Sequence, residues 1–492
     1  MPDGDGLTDF LFAATEARLR MVRNGEHTQE IQGYLGPDAY AEYKSLADNL
    51  GGAHLSVSAP TNLIFVPGIM GSELLSKTKG GVWWIDLRGL RHIDELGLSP
   101  DGRSDANPDN RIEAFTTDPQ YEPFLAAVLA RDDFGHETFP FDWRKSPAAS
   151  AAALRDLVQA VHQRNGGAPI HLVGHSMGGL VVRAALMAHG NELWPLLGRV
   201  VFLGTPHYGS PAIAGYLKNH LWGFELLAVL GAFLSRATFR SLWGVLSMLP
   251  APCGVYPGTR ANDADPWRDA KPGDTYAHPC SNFDFYDATS WKLGLNVTET
   301  ERLQGVLNGC RRFHQQLQEA HTKLTPDQHE RLMIIAGVGY RTLFRLTYKS
   351  RLFGAWTSMV KTTSRISGDP HREGDGRVPL ASATLDNVGI RYVRAAHGGL
   401  PNVPAVYEGL FRYLNNDDPE LPNSPEAALE AHLGGDGQGS AAPHLDGSAR
   451  AQPFSDDPGL WEEQPPDPAR LQQLVQMAEG GSIPEFTRVR LL

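Results

Sequence analysis

The sequence predicts an α/β fold with a mostly parallel central sheet. Short runs of Val, Ile and Leu alternate along the chain with longer segments whose apolar residues recur at helical spacing. The predicted strands lie at residues 63–66, 136–143, 170–173, 199–203, 332–336 and 388–395. Strands that alternate with helices form parallel sheets, because the helical crossovers cover the two faces.

The pattern of elements divides the chain into five predicted segments. The strand pattern begins after a helical stretch that ends at Gly51-Gly52, breaks after Ser210, and returns near residue 331. The segments are an N-terminal helical extension (1–55), a first core part (56–210), a lid or cap insertion (211–330), a second core part (331–414), and an acidic, largely disordered tail (415–492). Residues 83–120 are predicted to be irregular, and residues 466–478 to form a short helix.

The charge of the chain is concentrated in its tail. The 492 residues carry a formal net charge of −12, and residues 415–492 hold 14 acidic residues against 4 Arg. The remaining body is nearly neutral and has no basic patch, which argues against nucleic-acid binding. No signal peptide or membrane-spanning segment is recognised, so we expect a cytoplasmic protein, with signal-independent export as an alternative. Cys253 and Cys280 could pair, but reduced thiols are expected.

A serine in a glycine-rich turn is the strongest chemical signal. Residues 174–179 read Gly-His-Ser-Met-Gly-Gly and lie between a predicted strand and a predicted helix. This pattern holds a nucleophile on a sharp strand-to-helix corner, where glycines allow the backbone to crowd. We therefore predict that Ser176 is a nucleophile rather than a structural serine.

A serine nucleophile needs an imidazole base and a carboxylate that orients it. Asp375 lies between two glycines after a predicted strand, and His397 follows the last strand on a glycine loop. We predict that they are the acid and the base, with Asp369 as the competing acid. His175 and His207 are expected to pack or to line the cleft. The oxyanion donors are predicted to be the N–H groups of Ile69 and Met177.

Four motifs together resemble the lecithin:cholesterol acyltransferase-like branch of the α/β-hydrolases, which includes lysosomal phospholipase A2 and many bacterial lipases. They lie at residues 66–75, 140–144, 174–179 and 374–379. The resemblance implies an α/β-hydrolase fold, the triad Ser176, Asp375 and His397, and the oxyanion donors named above. It also implies that Asp142 and Arg144 support the cleft; without it, they could equally be a structural ion pair.

The insertion after residue 210 allows two interpretations. Its apolar helices could pack on the core, or they could form a lid that makes transient contact with a membrane surface. Trp194, Trp222 and Trp243 would suit such an interfacial surface.

The function predicted from these features is a serine lipase, phospholipase or acyltransferase that forms an acyl-enzyme on a lipid ester. No metal or organic cofactor is expected. Two other hypotheses remain, namely a lipase toxin exported without a signal peptide and a catalytically silent hydrolase-fold binding protein. The sequence does not indicate head group, acyl length or oligomeric state.

Overall fold

A computed structural model describes residues 6–35, 37–50, 61–84, 87–219, 233–258, 276–277, 284–340, 342, 345–350, 356–361 and 374–433, together with residues 472 and 476. Its strands are β1 (Thr61–Val66), β2 (Ser72–Ser76), β3 (Val82–Trp84), β4 (Ile112–Thr117), β5 (Gly135–Thr138), β6 (Ile170–His175), β7 (Leu197–Leu203), β8 (Tyr276–Ala277), β9 (Leu332–Val338), β10 (Arg345–Ser350), β11 (Trp356–Lys361) and β12 (Gly389–Arg394).

The α-helices surround these strands in sequence. They are α1 (Gly6–Phe12), α2 (Thr15–Asn24), α3 (Thr28–Leu35), α4 (Pro37–Asn49), α5 (Glu122–Leu129), α6 (Ala151–Arg164), α7 (Met177–Leu193), α8 (Pro211–Asn219), α9 (Arg236–Ser241), α10 (Trp243–Leu246), α11 (Val297–Thr322), α12 (Pro326–Glu330), α13 (Leu380–Ala383), α14 (Pro404–Leu414) and α15 (Pro425–Leu433). Short 3-10 helices lie at Pro119–Tyr121 and His397–Asn402.

Six strands form the central sheet, in the order β12-β9-β7-β6-β1-β5. Every neighbouring pair in this sheet is parallel, which confirms the predicted fold class. The carboxyl ends of all six strands therefore lie at one edge, where ligands bind in open α/β sheets. Two antiparallel three-stranded sheets, β3-β2-β4 and β11-β10-β8, accompany it.

The two faces of the central sheet are covered by different helices. Successive residues of β1 point to opposite sides, so that Ile64 and Val66 join one buried cluster while Leu63 and Phe65 join another. The first cluster includes apolar residues of α6 and α7, and the second includes those of α5 and α14. Burial on both faces explains why these strands read as continuous apolar runs.

The N-terminal helices form a small core of their own against α5. Phe10, Val22 and Ile31 are fully buried in this cluster, which also contains Ala126 of α5. Arg18 connects the two parts, because its guanidinium donates to Glu122 Oε1 at 2.9 Å and both side chains are buried. The helices therefore pack on the element that follows the Pro119–Tyr121 turn.

Two predictions about local structure were wrong. Residues 83–120 were expected to be irregular, yet β4 lies there and pairs with β2. Residues 415–492 were expected to be a largely disordered tail, yet α15 lies there and packs on the sheet, with Ala428 buried. The Tyr392 N–H donates to the Pro422 carbonyl oxygen at 2.9 Å, so tertiary contacts order a segment whose composition favours disorder. The helix predicted at 466–478 lies outside the described residues, apart from residues 472 and 476.

The described part of the insertion packs into the main core. Phe239, Leu246 and Leu249 are buried in the same cluster as the sheet residues. Trp194 is also buried, with the Arg331 guanidinium 4.9 Å from its ring centroid, so it does not belong to an interfacial surface as expected. Trp222 and Leu230 lie outside the described residues.

Cysteine pairing also differs from the prediction. Cys253 is disulfide-bonded, whereas Cys310 is free and buried. The expectation of reduced thiols is therefore wrong for Cys253, whose partner lies outside the described residues. No helix within the described ranges is long and apolar enough to span a bilayer.

Candidate active site

Ser176 lies on a strained corner between β6 and α7. Its backbone has φ 51° and ψ −125°, a conformation that non-glycine residues rarely adopt. A Cβ atom at Gly174 would lie 2.7 Å from the Gly179 Cα, and one at Gly178 would lie 2.2 Å from the Val66 carbonyl oxygen. The two glycines let the chain reverse tightly and place the serine hydroxyl at the carboxyl edge of the sheet.

Three residues from distant parts of the chain meet at this corner. His397 Nε2 lies 2.9 Å from Ser176 Oγ, and His397 Nδ1 lies 2.6 Å from Asp375 Oδ2. All three residues are buried. These distances are within hydrogen-bond reach of a nucleophile–base pair and of a base–carboxylate pair.

Asp375 is held in a specific orientation by its own loop. Its Oδ1 accepts the backbone N–H groups of Arg377 at 2.9 Å and Val378 at 2.7 Å, which leaves Oδ2 for His397. The His397 N–H donates to the Asp375 carbonyl oxygen at 2.9 Å, so the acid and histidine loops are joined through their backbones. Asp369, the competing acid, lies outside the described residues.

The turn after β1 packs against the first turn of α7. The close approach of Gly178 to the Val66 and Pro67 carbonyl groups brings these segments together. Met70 has φ 58°, and the Gly71 N–H donates to the Gly68 carbonyl oxygen at 3.1 Å, so the turn is tight. Ile69 therefore lies in a constrained turn that packs against the first turn of the helix, which begins at Met177.

His175 is fully buried and does not bond to Ser176. Its Nδ1 lies 2.9 Å from Tyr121 Oη, and its Nε2 lies 3.0 Å from the His397 carbonyl oxygen. Burial lowers the pKa of His175 well below its usual range, and His397 beside it acts in the same direction. The imidazole is therefore neutral.

His207 follows β7 and is also buried. Its ring packs edge-on against Phe202, with the centroids 4.9 Å apart, and burial lowers its pKa well below the usual range. Neither ring nitrogen has a hydrogen-bond partner among the described residues. In this structure His207 packs inside the protein and lies outside the group formed by Ser176, His397 and Asp375.

Asp142 and Arg144 form a buried ion pair. Arg144 Nε donates to Asp142 Oδ1 at 2.8 Å, and Nη2 donates to Oδ2 at 2.7 Å, so the contact is bidentate. Burial alone would raise the pKa of Asp142, but Arg144 and Lys145 hold it below its usual value. Arg144 also donates to Asp105 at 2.9 Å and to the Leu96 carbonyl oxygen at 3.0 Å.

The insertion covers this region directly. The Gly244 N–H of α10 donates to the Arg144 carbonyl oxygen at 2.8 Å. A Cβ atom at Gly244 would lie 2.0 Å from the Trp143 carbonyl oxygen and 2.7 Å from the Met177 Cε atom. The helix therefore packs on the serine corner, and only 2% of the Ser176 surface is exposed.

Some residues of the site carry no recognisable sequence signal. Tyr121 lies in a short 3-10 helix and bonds both His175 and the Gly68 N–H, the latter at 2.9 Å. Asp105 lies in a loop 39 residues before its partner Arg144. Gly204 is the one residue of this group that a sequence signal could have identified, because it directly follows a predicted strand. A Cβ atom at Gly204 would lie 3.2 Å from Asp375 Oδ2.

The arrangement can support nucleophilic acyl transfer by its own side chains. A hydroxyl, an imidazole and a carboxylate lie in sequence, and helix N–H groups and a tight turn adjoin the hydroxyl. Among the described residues, no group of three or more His, Cys, Asp or Glu side chains is arranged to hold a metal ion.

The central sheet is parallel and is covered by helices on both faces, and Ser176 follows β6, the third of its strands in chain order. This arrangement defines the α/β-hydrolase fold. Residues 133–265 match the family model described as lecithin:cholesterol acyltransferase. This match confirms the resemblance to that family over residues 133–265. No curated protein matches the sequence.

Several solved structures are similar to the chain. One, described as the Tle4–Tli4 complex, has 17% sequence identity and a TM-score of 0.45, covering 73% of this chain and 100% of that one. The mature form of the Bacillus licheniformis lipase BlEst2 has 14% identity and a TM-score of 0.33, covering 72% and 92% of the two chains. Its propeptide form has 16% identity and a TM-score of 0.34, covering 72% and 50%.

Proposed function

We propose that this chain is a serine hydrolase or acyltransferase that cleaves the carboxylic ester of a lipid through an acyl-enzyme on Ser176. The observation that carries the proposal is the pair of contacts made by His397, at 2.9 Å to Ser176 Oγ and 2.6 Å to Asp375 Oδ2. This geometry is what a hydroxyl needs to lose its proton to an oriented base.

The chemistry follows from the three side chains. Ser176 Oγ attacks the ester carbonyl carbon while its proton moves to His397 Nε2, and Asp375 stabilises the resulting imidazolium. The tetrahedral intermediate collapses when His397 protonates the leaving alcohol, which departs and leaves an acyl group on Ser176. Water or a second alcohol then attacks the acyl-enzyme by the reverse sequence of proton transfers.

The negative oxygen of the intermediate needs donors. We infer that the N–H groups of Ile69 and Met177 supply them, because the two residues lie on adjoining backbone segments next to Ser176. The N–H groups at the start of α7 have no acceptor within the helix and favour negative charge. Each donor is worth about 2.7–4 kcal/mol in the transition state.

Two observations support a lipid substrate. The matching family model is described by a lipid acyltransferase, and apolar helices of the insertion cover the serine corner. Ser176 is only 2% exposed, so we infer that the cover moves when a substrate binds. We infer that the insertion opens at a lipid surface, where its apolar side chains would be stabilised.

Covalent labelling tests the nucleophile. A fluorophosphonate probe is expected to label the wild type and the Ser247→Ala control, in which a buried hydroxyl bonded to the Trp243 carbonyl oxygen is removed, but not Ser176→Ala. Ester hydrolysis should fall about 10⁶-fold in Ser176→Ala. Labelling that persists without the Ser176 hydroxyl would contradict the proposal.

Product analysis then separates the reaction classes. Phospholipid, triglyceride and acyl-CoA are offered with and without an added alcohol, so that free acid reports hydrolysis and a new ester reports acyl transfer. If the protein hydrolysed a short soluble ester but no lipid ester, the assignment of Ser176 as the nucleophile would stand and the proposal of a lipid substrate would be contradicted.

Charging the insertion tests the lid. Leu230→Asp and Phe233→Asp should reduce hydrolysis of vesicles while a short soluble ester is still hydrolysed. Val297→Asp is the matched control, because Val297 is apolar and already 75% exposed. Equal losses on both substrates would indicate that these residues have a core role instead.

A further inference from the structure

A continuous chain of hydrogen bonds runs behind the serine corner from the turn after β1 to the His397 loop. The Gly68 N–H donates to Tyr121 Oη at 2.9 Å, and Tyr121 Oη lies 2.9 Å from His175 Nδ1. His175 Nε2 lies 3.0 Å from the His397 carbonyl oxygen. Tyr121, His175 and His397 are all buried, so water does not compete for these bonds.

The chemistry of its two ends, together with the neutral charge of His175, determines the protons in this chain. A backbone N–H can only donate, so Tyr121 Oη accepts from Gly68 and keeps its own proton free to face His175 Nδ1. A carbonyl oxygen can only accept, so His175 must carry its proton on Nε2 to reach His397. Of the two neutral tautomers of His175, only the Nε2–H form can donate to the His397 carbonyl oxygen, and its Nδ1 then accepts the Tyr121 proton. A cationic ring could also make both bonds, but burial disfavours it.

The charge state of the two aromatic residues agrees with this assignment. Burial raises the pKa of the Tyr121 phenol, which therefore remains a donor. Burial lowers the pKa of His175 well below its usual range, so the ring remains neutral. The ring centroids of His175 and His397 are only 5.1 Å apart, and a cationic His175 would oppose proton transfer to His397.

We propose that Tyr121 and His175 are positioning residues that hold the oxyanion turn and the His397 loop in a single arrangement through this chain of bonds. The inference rests on the proposed function. The turn that carries Ile69 and the loop that carries the base are separate segments, and both must be placed to within a fraction of an ångström of the reacting carbonyl. The chain gives them a shared support behind the nucleophile.

A second link between nearby segments provides a matched control. The Asn402 side chain donates to the Gln120 carbonyl oxygen at 2.8 Å and accepts from the Phe124 N–H at 3.2 Å. Asn402→Ala therefore loosens the contact between the His397 loop and the segment next to Tyr121, without altering the hydrogen-bond chain itself. Tyr413→Phe is a control for hydroxyl loss, because Tyr413 Oη donates to the Glu330 carbonyl oxygen at the opposite end of the sheet.

Kinetics on a soluble ester provide the first test. Tyr121→Phe and His175→Leu should each lower kcat about 10–100-fold with little change in KM. His175→Gln, whose amide can donate to the His397 carbonyl oxygen in place of Nε2–H, should recover most of the loss. The double variant Tyr121→Phe/His175→Leu should be no slower than the poorer single variant, because both break one chain. The two controls should keep kcat within about 3-fold of wild type.

Selective ¹⁵N-histidine NMR provides a readout that does not depend on turnover. His175 should appear as the neutral Nε2–H tautomer at pH 7 in wild type and in Ser176→Ala, and Tyr121→Phe should shift both the His175 and the His397 signals. A His175 that is cationic or protonated on Nδ1 would overturn the inference. So would a kcat loss in Asn402→Ala equal to that in Tyr121→Phe. A wild type that neither labels nor hydrolyses esters would instead refute the proposed function, and the NMR result would still decide the inference.

Discussion

The backbone of Gly178 lies so close to Val66 that a Cβ atom on the glycine would stand 2.2 Å from the Val66 carbonyl oxygen. Real Cβ atoms do not approach a backbone oxygen this closely, so any side chain at residue 178 must push β1 and α7 apart. That contact joins the turn carrying Ile69 to the helix that begins at Met177. The packing of β1 against α7 and the position of the candidate oxyanion donors therefore both depend on this contact between Gly178 and Val66.

Gly178→Ala is therefore expected to impair activity more than folding. We expect a stability loss of about 1–3 kcal/mol from overpacking, and a loss of ester hydrolysis of about 100-fold because the proposed oxyanion donors, the N–H groups of Ile69 and Met177, would move. Urea unfolding and kcat on a soluble ester measure the two effects. Gly305→Ala is the control, since a Cβ there meets nothing within 4 Å and the residue lies in α11. A Gly178→Ala variant with wild-type kcat would contradict the arrangement.

Asp375→Asn tests the acid. The amide oxygen can still accept the N–H groups of Arg377 and Val378, so the loop should keep its shape and the melting temperature should change little. The amide cannot stabilise the imidazolium, so kcat should fall about 10⁴-fold. Asp369→Asn serves as the comparison and should retain activity. If Asp369→Asn were the inactive variant, the acid would be assigned wrongly.

Arg18→Met tests the buried ion pair between the N-terminal helices and α5. The substitution leaves Glu122 buried without its cation, so the free energy of unfolding should fall by about 3–5 kcal/mol at neutral pH. Arg18→Met/Glu122→Gln should recover most of this loss, because it removes the uncompensated charge. Equal stability of the single and the double variant would show that packing alone explains the effect.

The pH dependence of the Arg18→Met variant has a definite sign. Burial raises the pKa of Glu122 above its ordinary value of 4.5, and Arg18 opposes this shift in the wild type. Without Arg18 the folded state binds a proton more readily than the unfolded state, so stability falls as the pH rises above 4.5 through the raised pKa. Denaturant midpoints from pH 5 to pH 8 measure this slope, which Glu122→Gln should abolish.

Arg144→Lys tests the ion-pair network beneath α10, whose Gly244 N–H donates to the Arg144 carbonyl oxygen. A lysine cannot reproduce the bidentate contact with Asp142 and also reach Asp105, so two largely buried carboxylates lose charge-assisted bonds. We expect a stability loss of about 2–4 kcal/mol. Arg164→Lys is the control, because Arg164 is exposed and pairs with Glu137 at the surface, where the loss should stay within about 0.5 kcal/mol.

The local pattern of the sequence predicted the parallel sheet and the candidate residues Ser176, Asp375 and His397. This was possible because buried strands, glycine turns and the residues that follow a strand are encoded over a few adjacent positions. The N-terminal helices were also visible in the spacing of apolar residues. The strand β4 and the helix α15 were missed, because their composition is that of loops and only packing against β2 and the sheet orders them.

Other features depend on contacts between residues far apart in the chain. Tyr121 and His175 are separated by 54 positions, and Arg144 and Asp105 by 39, so neither pair leaves a local signature. Trp194 was predicted to suit a lipid surface, but the fold places it in the core beside Arg331. By itself the sequence determined which side chains are candidates for acyl-transfer chemistry and at which edge of the sheet they lie. Only the tertiary structure decided what supports them, because the direction and partner of a buried polar group are set by whichever segments the core brings together.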